Sequence, residues 1–353
     1  MHPYKTFPAK QFWSRAVSQG FDATQAPNAE KPLLMSSDKI VTAGSCFAAN
    51  LVPYLEKNGF EYLRTEYNHP IFREVPTENL SYAKFSAGYG NIYTARQMLQ
   101  LLKRCLGEFT PVEDRWVTPD GIIDPFRPGL LYRARTEREF DLLTKQHLQA
   151  ALRAFQECDV LIFTLGLTEG WISKADGAVF PACPGTIAGT YDDSKHGFVN
   201  FTVAEVTDDL RDFITVLRRI NPSVRVLLTV SPVPLVATAS DRHVLPATVY
   251  SKSVLRVAAE VIANEMDQVT YFPAYEIVTG PQAPADFFEA DKRNVTVKAV
   301  DTVMSAFLAN CETSTHAFLE RKADVVPQNN ADKIGALSRR LMDLDCEEAG
   351  QDA

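Results

Sequence analysis

The chain has 353 residues, 46% of them hydrophobic and 23% charged, with 44 acidic side chains against 36 basic for a net charge of −8. That size and apolar content predict a globular protein with a sizeable core, built as one large α/β domain or two ordinary ones. The acidic balance gives no broad attraction to nucleic acid or an anionic membrane surface, and no segment approaches the ~18 consecutive apolar residues of a membrane helix.

Residues 1–37 are rich in Pro, Gln, Ser and Ala with a few large apolar anchors, and read as an arm lying over the domain. The first residues lack the apolar core of a signal peptide, so a soluble, cytoplasmic protein is expected. Lys39 to Ala43 reads as a strand. After a glycine the chain resumes in helical period, with Phe47, Leu51, Val52 and Leu55 on one face as far as Asn58. Ser45 therefore sits at a strand-to-helix turn. Gly44 lets the backbone bend where a Cβ would clash, and the open N–H groups of the first helical turn suit an oxyanion. The plainer use of such a serine is as the helix N-cap. Cys46, beside it, is the one cysteine of six in a position to be reactive; the others are scattered without a CxxC pair.

Gly59 to Leu63 reads as a short strand. Arg64 to Leu80 is loop-like and contains His69, and the stretch around Gly88-Tyr89-Gly90-Asn91 is a glycine-broken turn leading into a helix with Met98, Leu101 and Leu102 on one face. Backbone N–H groups at Gly90 or Asn91, or the Asn91 amide, are suited to face a ligand there; an ordinary tight turn is the alternative. Residues 107–135 have no period and read as a surface insertion. Thr136 to Glu157 is helical and carries His147 among core-facing positions, which makes it structural.

Asp159 to Leu165 is an apolar run expected to form a buried parallel strand, and it delivers Gly166-Leu167-Thr168-Glu169 to the carboxyl edge, where open α/β sheets place ligands. Residues 172–201 read as an irregular insertion containing His196. Thr202 to Glu205 forms a capping box ahead of an amphipathic helix, Val224 to Val230 is a second buried strand, and its exit loop carries His243 ahead of a helix near 248–266. Val269 to Phe272 is a further strand. The loop 273–290 then brings Asp291-Lys292-Arg293-Asn294 to the last domain helix, 296–309. Beyond it lie a polar linker and one amphipathic helix, giving an arm (1–37), a main domain (38–312) and a C-terminal extension (313–353).

Strand and helix alternate repeatedly, so a right-handed, mostly parallel sheet between two helix layers is expected. No GxGxxG follows the first strand and no GxxxxGK[ST] occurs, which weighs against the dinucleotide and P-loop readings. The histidines lack ligand spacing, so neither a metal nor a cofactor is expected.

Gly44-Ser45-Cys46-Phe47-Ala48 resembles the motif of the GSCFA family, related to the SGNH or GDSL hydrolases. Further similar blocks follow in order at 90–94, 165–169, 231–234 and 271–277, over a span of about Lys39 to Phe307. The resemblance implies a three-layer α/β/α, flavodoxin-like fold. It also implies a serine esterase or O-acyltransferase acting on a small acyl ester, with a carbohydrate as one class of substrate.

On that basis Ser45 matches the nucleophile, Gly90 an oxyanion donor, and Asp291 the acid that orients the base. Two positions depart from the pattern. Thr168 stands where an asparagine donor is expected, and Asn294 stands where the base histidine is expected. An amide cannot accept the serine proton at neutral pH. His243 is the first substitute, with His196 and His69 as further loop histidines, and Glu169 joins the last two as a substrate contact. A non-catalytic binding or scaffold protein that lost its base is the competing reading, and Cys46 as nucleophile is a third.

Overall fold

The computed structural model describes residues 2–27, 31–67, 85–130 and 132–312, apart from the Cys46 side chain. The chain from Lys39 builds a five-stranded sheet from β1 (Lys39–Gly44), β2 (Glu61–Tyr62), β5 (Val160–Leu165), β9 (Arg225–Val230) and β10 (Val269–Phe272). Every pairing is parallel and the spatial order is β2-β1-β5-β9-β10. The first connection runs outward one way and the later ones the other, so the switch point falls between β1 and β5.

Both faces of the sheet are covered, which is why β5, buried at all six positions, reads as an apolar run broken only by Thr164 rather than as an alternating one. On one face Val41, Leu161, Phe163 and Leu228 pack against helices α3 (Ala95–Cys105), α4 (Glu137–Glu157), α5 (Val203–Ile220) and α6 (Val244–Glu265). On the other, Ile40, Val160, Ile162 and Leu227 meet α1 (Cys46–Ala49), α2 (Leu51–Lys57), α7 (Ala274–Thr279) and α8 (Val297–Ala309). The result is the expected three-layer α/β/α, flavodoxin-like arrangement. No helix among the described residues is long and apolar enough to cross a membrane.

Two stretches expected to be irregular contain sheet. Residues 107–135 hold a hairpin of β3 (Trp116–Thr118) and β4 (Gly121–Ile123). The insertion after β5 folds into a small antiparallel sheet of β6 (Glu169–Ser173), β7 (Val179–Phe180) and β8 (His196–Asn200) in the order β7-β6-β8. Their strands span five residues or fewer, too short for a period-2 pattern to stand out. What holds them is tertiary packing of Trp116, Phe126 and Phe180 in a satellite cluster.

The arm turns through short helical segments and then tightens. Leu33 and Leu34 are buried, Leu33 N–H donates to Asn310 O (2.8 Å), and Glu312 N–H donates to Leu34 O (2.8 Å). The expected C-terminal helix lies outside the described residues.

Candidate active site

The geometry begins at the end of β1. Gly44 adopts φ +144°, a conformation that disfavours a side chain, and lies against Thr164 of the neighbouring strand. A Cβ there would overlap the Thr164 carbonyl oxygen and come 2.8 Å from Thr164 Cβ. Ser45 follows at the N-cap position of α1, but its hydroxyl makes no capping bond. The residue is 3% exposed and its Oγ has no hydrogen-bond partner. The capping use of this serine is thus not realised.

Neighbouring hydroxyls share that condition. Thr164 pairs with Gly44 across one ladder and with Thr229 across the next, and the Oγ1 atoms of both threonines are buried without partners. Three unpartnered hydroxyls therefore sit at the carboxyl ends of three adjacent strands. A buried polar group left unmatched costs on the order of 1–3 kcal/mol, so such a concentration marks a place where stability is given up.

The second block reaches this edge directly. Ile92 N–H donates to Gly44 O (2.8 Å), and Gly90 turns the chain with φ +67°. Asn91 Nδ2 donates to the Tyr93 hydroxyl (3.0 Å), so that amide serves the turn itself. The Ser45 amide donates to Thr164 O across a long 3.4 Å. The third block is tied in by Tyr93 O, which accepts from Gly166 N (2.9 Å) and Leu167 N (3.2 Å), and by Lys252, a buried lysine whose Nζ donates to Gly166 O (2.6 Å).

Thr168 is fully buried and committed. Its amide donates to Ser251 Oγ (2.9 Å) and its hydroxyl to Asn200 Oδ1 (2.7 Å). Glu169 Oε1 accepts from Thr238 Oγ1 (2.6 Å), linking the third block to the loop after β9. Asp291 organises the last block: its Oδ1 accepts from the amides of Arg293 (2.9 Å) and Asn294 (3.0 Å), and its Oδ2 accepts from Asn294 Nδ2 (2.8 Å). Asn294 Oδ1 is buried without a partner. The Asp291–Asn294 pair thus has the form of an acid orienting its neighbour, with a carboxamide in place of an imidazole.

Neither His243 nor His196 hydrogen-bonds to Ser45, whose Oγ has no partner. His243 is exposed and caps α6, its Nδ1 accepting from Leu245 N (3.1 Å). His196 is buried on β8 with both ring nitrogens engaged: Nδ1 accepts from Asp192 N (3.0 Å), and Nε2 lies 3.0 Å from Glu113 Oε2. Those bonds set its tautomer, with the proton on Nε2. His69 lies outside the described residues, as does the Cys46 side chain. Among the described residues no cluster of three His, Cys, Asp or Glu side chains is placed to hold a metal ion.

A buried ionic network behind the second block has no counterpart in the sequence reading. Glu66 Oε2 accepts from Gly88 N (2.7 Å) and pairs with His147 Nδ1 (2.7 Å). Arg127 donates from Nε to Asp124 Oδ2 (2.8 Å) and from a terminal nitrogen to Gly88 O (3.4 Å). The Gly88 residue is held at both its amide and its carbonyl. Burial pushes the Glu66 carboxyl up, but His147, Arg127 and the Gly88 amide outweigh it and hold the group down to about 2. Burial is the largest influence on His147 and pushes it below its ordinary value, with Arg127 adding to the effect. The ring is neutral at neutral pH.

A 2-1-3-4-5 parallel sheet with a glycine–serine turn at its switch point defines the class: a flavodoxin-like α/β protein whose candidate site lies on the carboxyl edge. The chain belongs to the GSCFA family, whose model matches residues 39–307. No curated protein sequence matches it significantly.

Among solved structures it is similar to a carbohydrate esterase family 2 enzyme with a carbohydrate-binding domain from Corynascus thermopiles (Myceliophthora fergusii). That match has 11% identity and a TM-score of 0.30, and covers 88% of this chain and 68% of that one. An acetyl esterase mutant with acetate ion matches at 10% identity and a TM-score of 0.25, over 66% of this chain and 93% of that one. A salicylyl-acyltransferase from a tetracycline biosynthetic pathway matches at 12% and 0.25, over 50% and 42% respectively. These likenesses are too slight to assign a role to any residue of this chain.

Proposed function

We propose that the chain is a serine esterase or O-acyltransferase in which Ser45 Oγ attacks the acyl carbonyl of a small ester. The observation that carries this reading is the Ser45 hydroxyl itself, buried at a strand-to-helix turn on the switch-point edge and bonded to nothing. Attack forms the Oγ–carbonyl bond, and collapse of the tetrahedral intermediate expels the alcohol with the serine proton. Water or an acceptor hydroxyl then takes the acyl group. The Gly90 turn and the start of α1 supply N–H groups for the oxyanion.

With His196 bonded through both ring nitrogens and His243 exposed as the cap of α6, His69 is the histidine we place as the base, a role worth roughly 100- to 10,000-fold. A carbohydrate ester is the substrate class implied by the family resemblance. Of the aromatic side chains suited to stack on a sugar, Trp116, Tyr89 and Tyr93 are buried, leaving half-buried Trp171, which packs on Tyr191 and Phe198.

A second reading, a ligand-binding protein that lost catalysis, is favoured by one observation: Asn294 bonded to Asp291 where a base is expected. Fluorophosphonate labelling separates the two. An activated serine labels at Ser45, shown by mass spectrometry of the labelled peptide, and Ser45→Ala loses the label. His69→Gln slows labelling about tenfold or more if His69 is the base. No labelling under conditions where a control hydrolase reacts defeats the enzyme reading. In that case Asn294→His, which places an imidazole beside Asp291, tests whether only the base is missing.

A further inference from the structure

Next to the network that holds Gly88 lies a cavity of about 30 Å³, room for about two waters or one compact ion. Arg104, Arg127, His147, Gln97, Gln100 and Asn91 contribute its polar wall, and no acidic side chain lines it. The nearby carboxylates make their hydrogen bonds elsewhere: Glu66 with Gly88 and His147, Asp124 with Arg127 and the Phe126 amide, and Asp114 with Arg115.

Arg104 is what makes this cavity unusual. It is 8% exposed, its guanidinium stacks on Phe126 at 4.1 Å, and among the described residues none accepts a hydrogen bond from it. Phe126 is itself part of the cavity wall. Asp124 and Asp114 lie near enough to favour the Arg104 charge, yet neither accepts a hydrogen bond from it, so its N–H edge is left for another acceptor. Gln97 adds a second donor. Its Oε1 accepts from the amides of Tyr93 and Thr94, both at 3.0 Å, which turns the carboxamide nitrogen away from those partners. That nitrogen has no acceptor among the described residues.

We propose that this cavity binds a compact monovalent anion, a halide or a small carboxylate, between the Arg104 guanidinium and the Gln97 carboxamide. Charge-assisted bonds from a guanidinium are the strong kind, and the apolar stack on Phe126 leaves the N–H edge to make them. The ion would sit behind the segment whose Ile92 amide bonds Gly44 O, so its binding braces the second block from the side away from β1. The site stands whether or not Ser45 is a nucleophile, and its test makes no use of activity.

Crystals grown in sodium gluconate and soaked in sodium bromide should show an anomalous peak within hydrogen-bonding distance of Arg104, and a parallel acetate soak tells whether a carboxylate also enters. In solution, bromide or acetate should raise the unfolding temperature above that in gluconate at the same ionic strength. Arg104→Met, which keeps the packing on Phe126, should abolish that increment, and Arg104→Lys should weaken binding about tenfold. Water alone in the cavity after both soaks overturns the proposal. So does an increment that survives in Arg104→Met, or a peak with no increment, which means binding at crystal concentration only. Should Arg104→Met fail to fold, the wild-type soaks and Arg104→Lys decide the matter.

Discussion

Gly44 and Ser45 divide one task between them. The glycine accepts a φ of +144° and a contact with Thr164 that no Cβ would survive, and the serine is thereby set on the sheet edge with its hydroxyl unused. Gly44→Ala should cost on the order of 1–3 kcal/mol from backbone strain alone, and more from the overlap, read as a lowered denaturation midpoint. Ser45→Ala should be neutral or slightly stabilising, because it removes a buried hydroxyl that bonds nothing. A serine that merely capped its helix would instead cost about 1 kcal/mol when replaced by alanine. The same melt therefore tells an unbonded hydroxyl from a capping one without any substrate. The serine's place was legible in the sequence, since glycine, small polar residue and helical period fall in adjacent positions. The departure from the family pattern at Asn294 was legible too, but not the partners of His196 and His243, because a histidine's surroundings depend on segments far away in the chain.

The second block shows how a turn is fixed by elements distant from it. Glu66 from the segment after β2, Arg127 from the loop after β4, and His147 from α4 converge on Gly88, at sequence separations of 22, 39 and, between Glu66 and His147, 81 residues. No local pattern reports such a meeting; the one trace was His147 lying among the apolar positions of α4. Because the folded Glu66 carboxyl titrates near 2 against an ordinary 4.5, the stability it contributes is full above pH 4.5 and is lost as the pH falls towards 2. His147 is lowered as well, so its contribution is full above pH 6.5 and shrinks on acidification below that. Denaturant melts from pH 7 to 3 should show this loss, and Glu66→Gln should flatten its lower part while being less stable at pH 7. By contrast, α5 was legible to the residue. Thr202 and Glu205 form a reciprocal capping box, and Thr202→Ala should cost about 1 kcal/mol.

At the scale of the whole molecule, the chain's order of strands and helices was readable because each crossover repeats the same alternation, and β5 announced its burial by having no charged residue and a single polar one, Thr164. The small sheet of β6, β7 and β8 was not readable, as its pairing joins Glu169 to Asn200 across an insertion rich in turns. The arm divides unevenly between surface and core. Tyr4 and Trp13 are more than half exposed, whereas Leu33 and Leu34 are buried under the sheet. Truncation before residue 22 should leave the unfolding temperature nearly unchanged. Truncation through residue 36 should cost several kcal/mol, since removing one buried leucine side chain costs about 2–5. The pairing of Leu33 with Asn310 and of Leu34 with Glu312 also means that the folded domain enters and leaves at one corner. A chain so closed can be re-cut: joining residue 312 to residue 33 through a short glycine linker, and opening new ends at Gly107–Glu108 beyond α3, should give a permuted protein with the same sheet order.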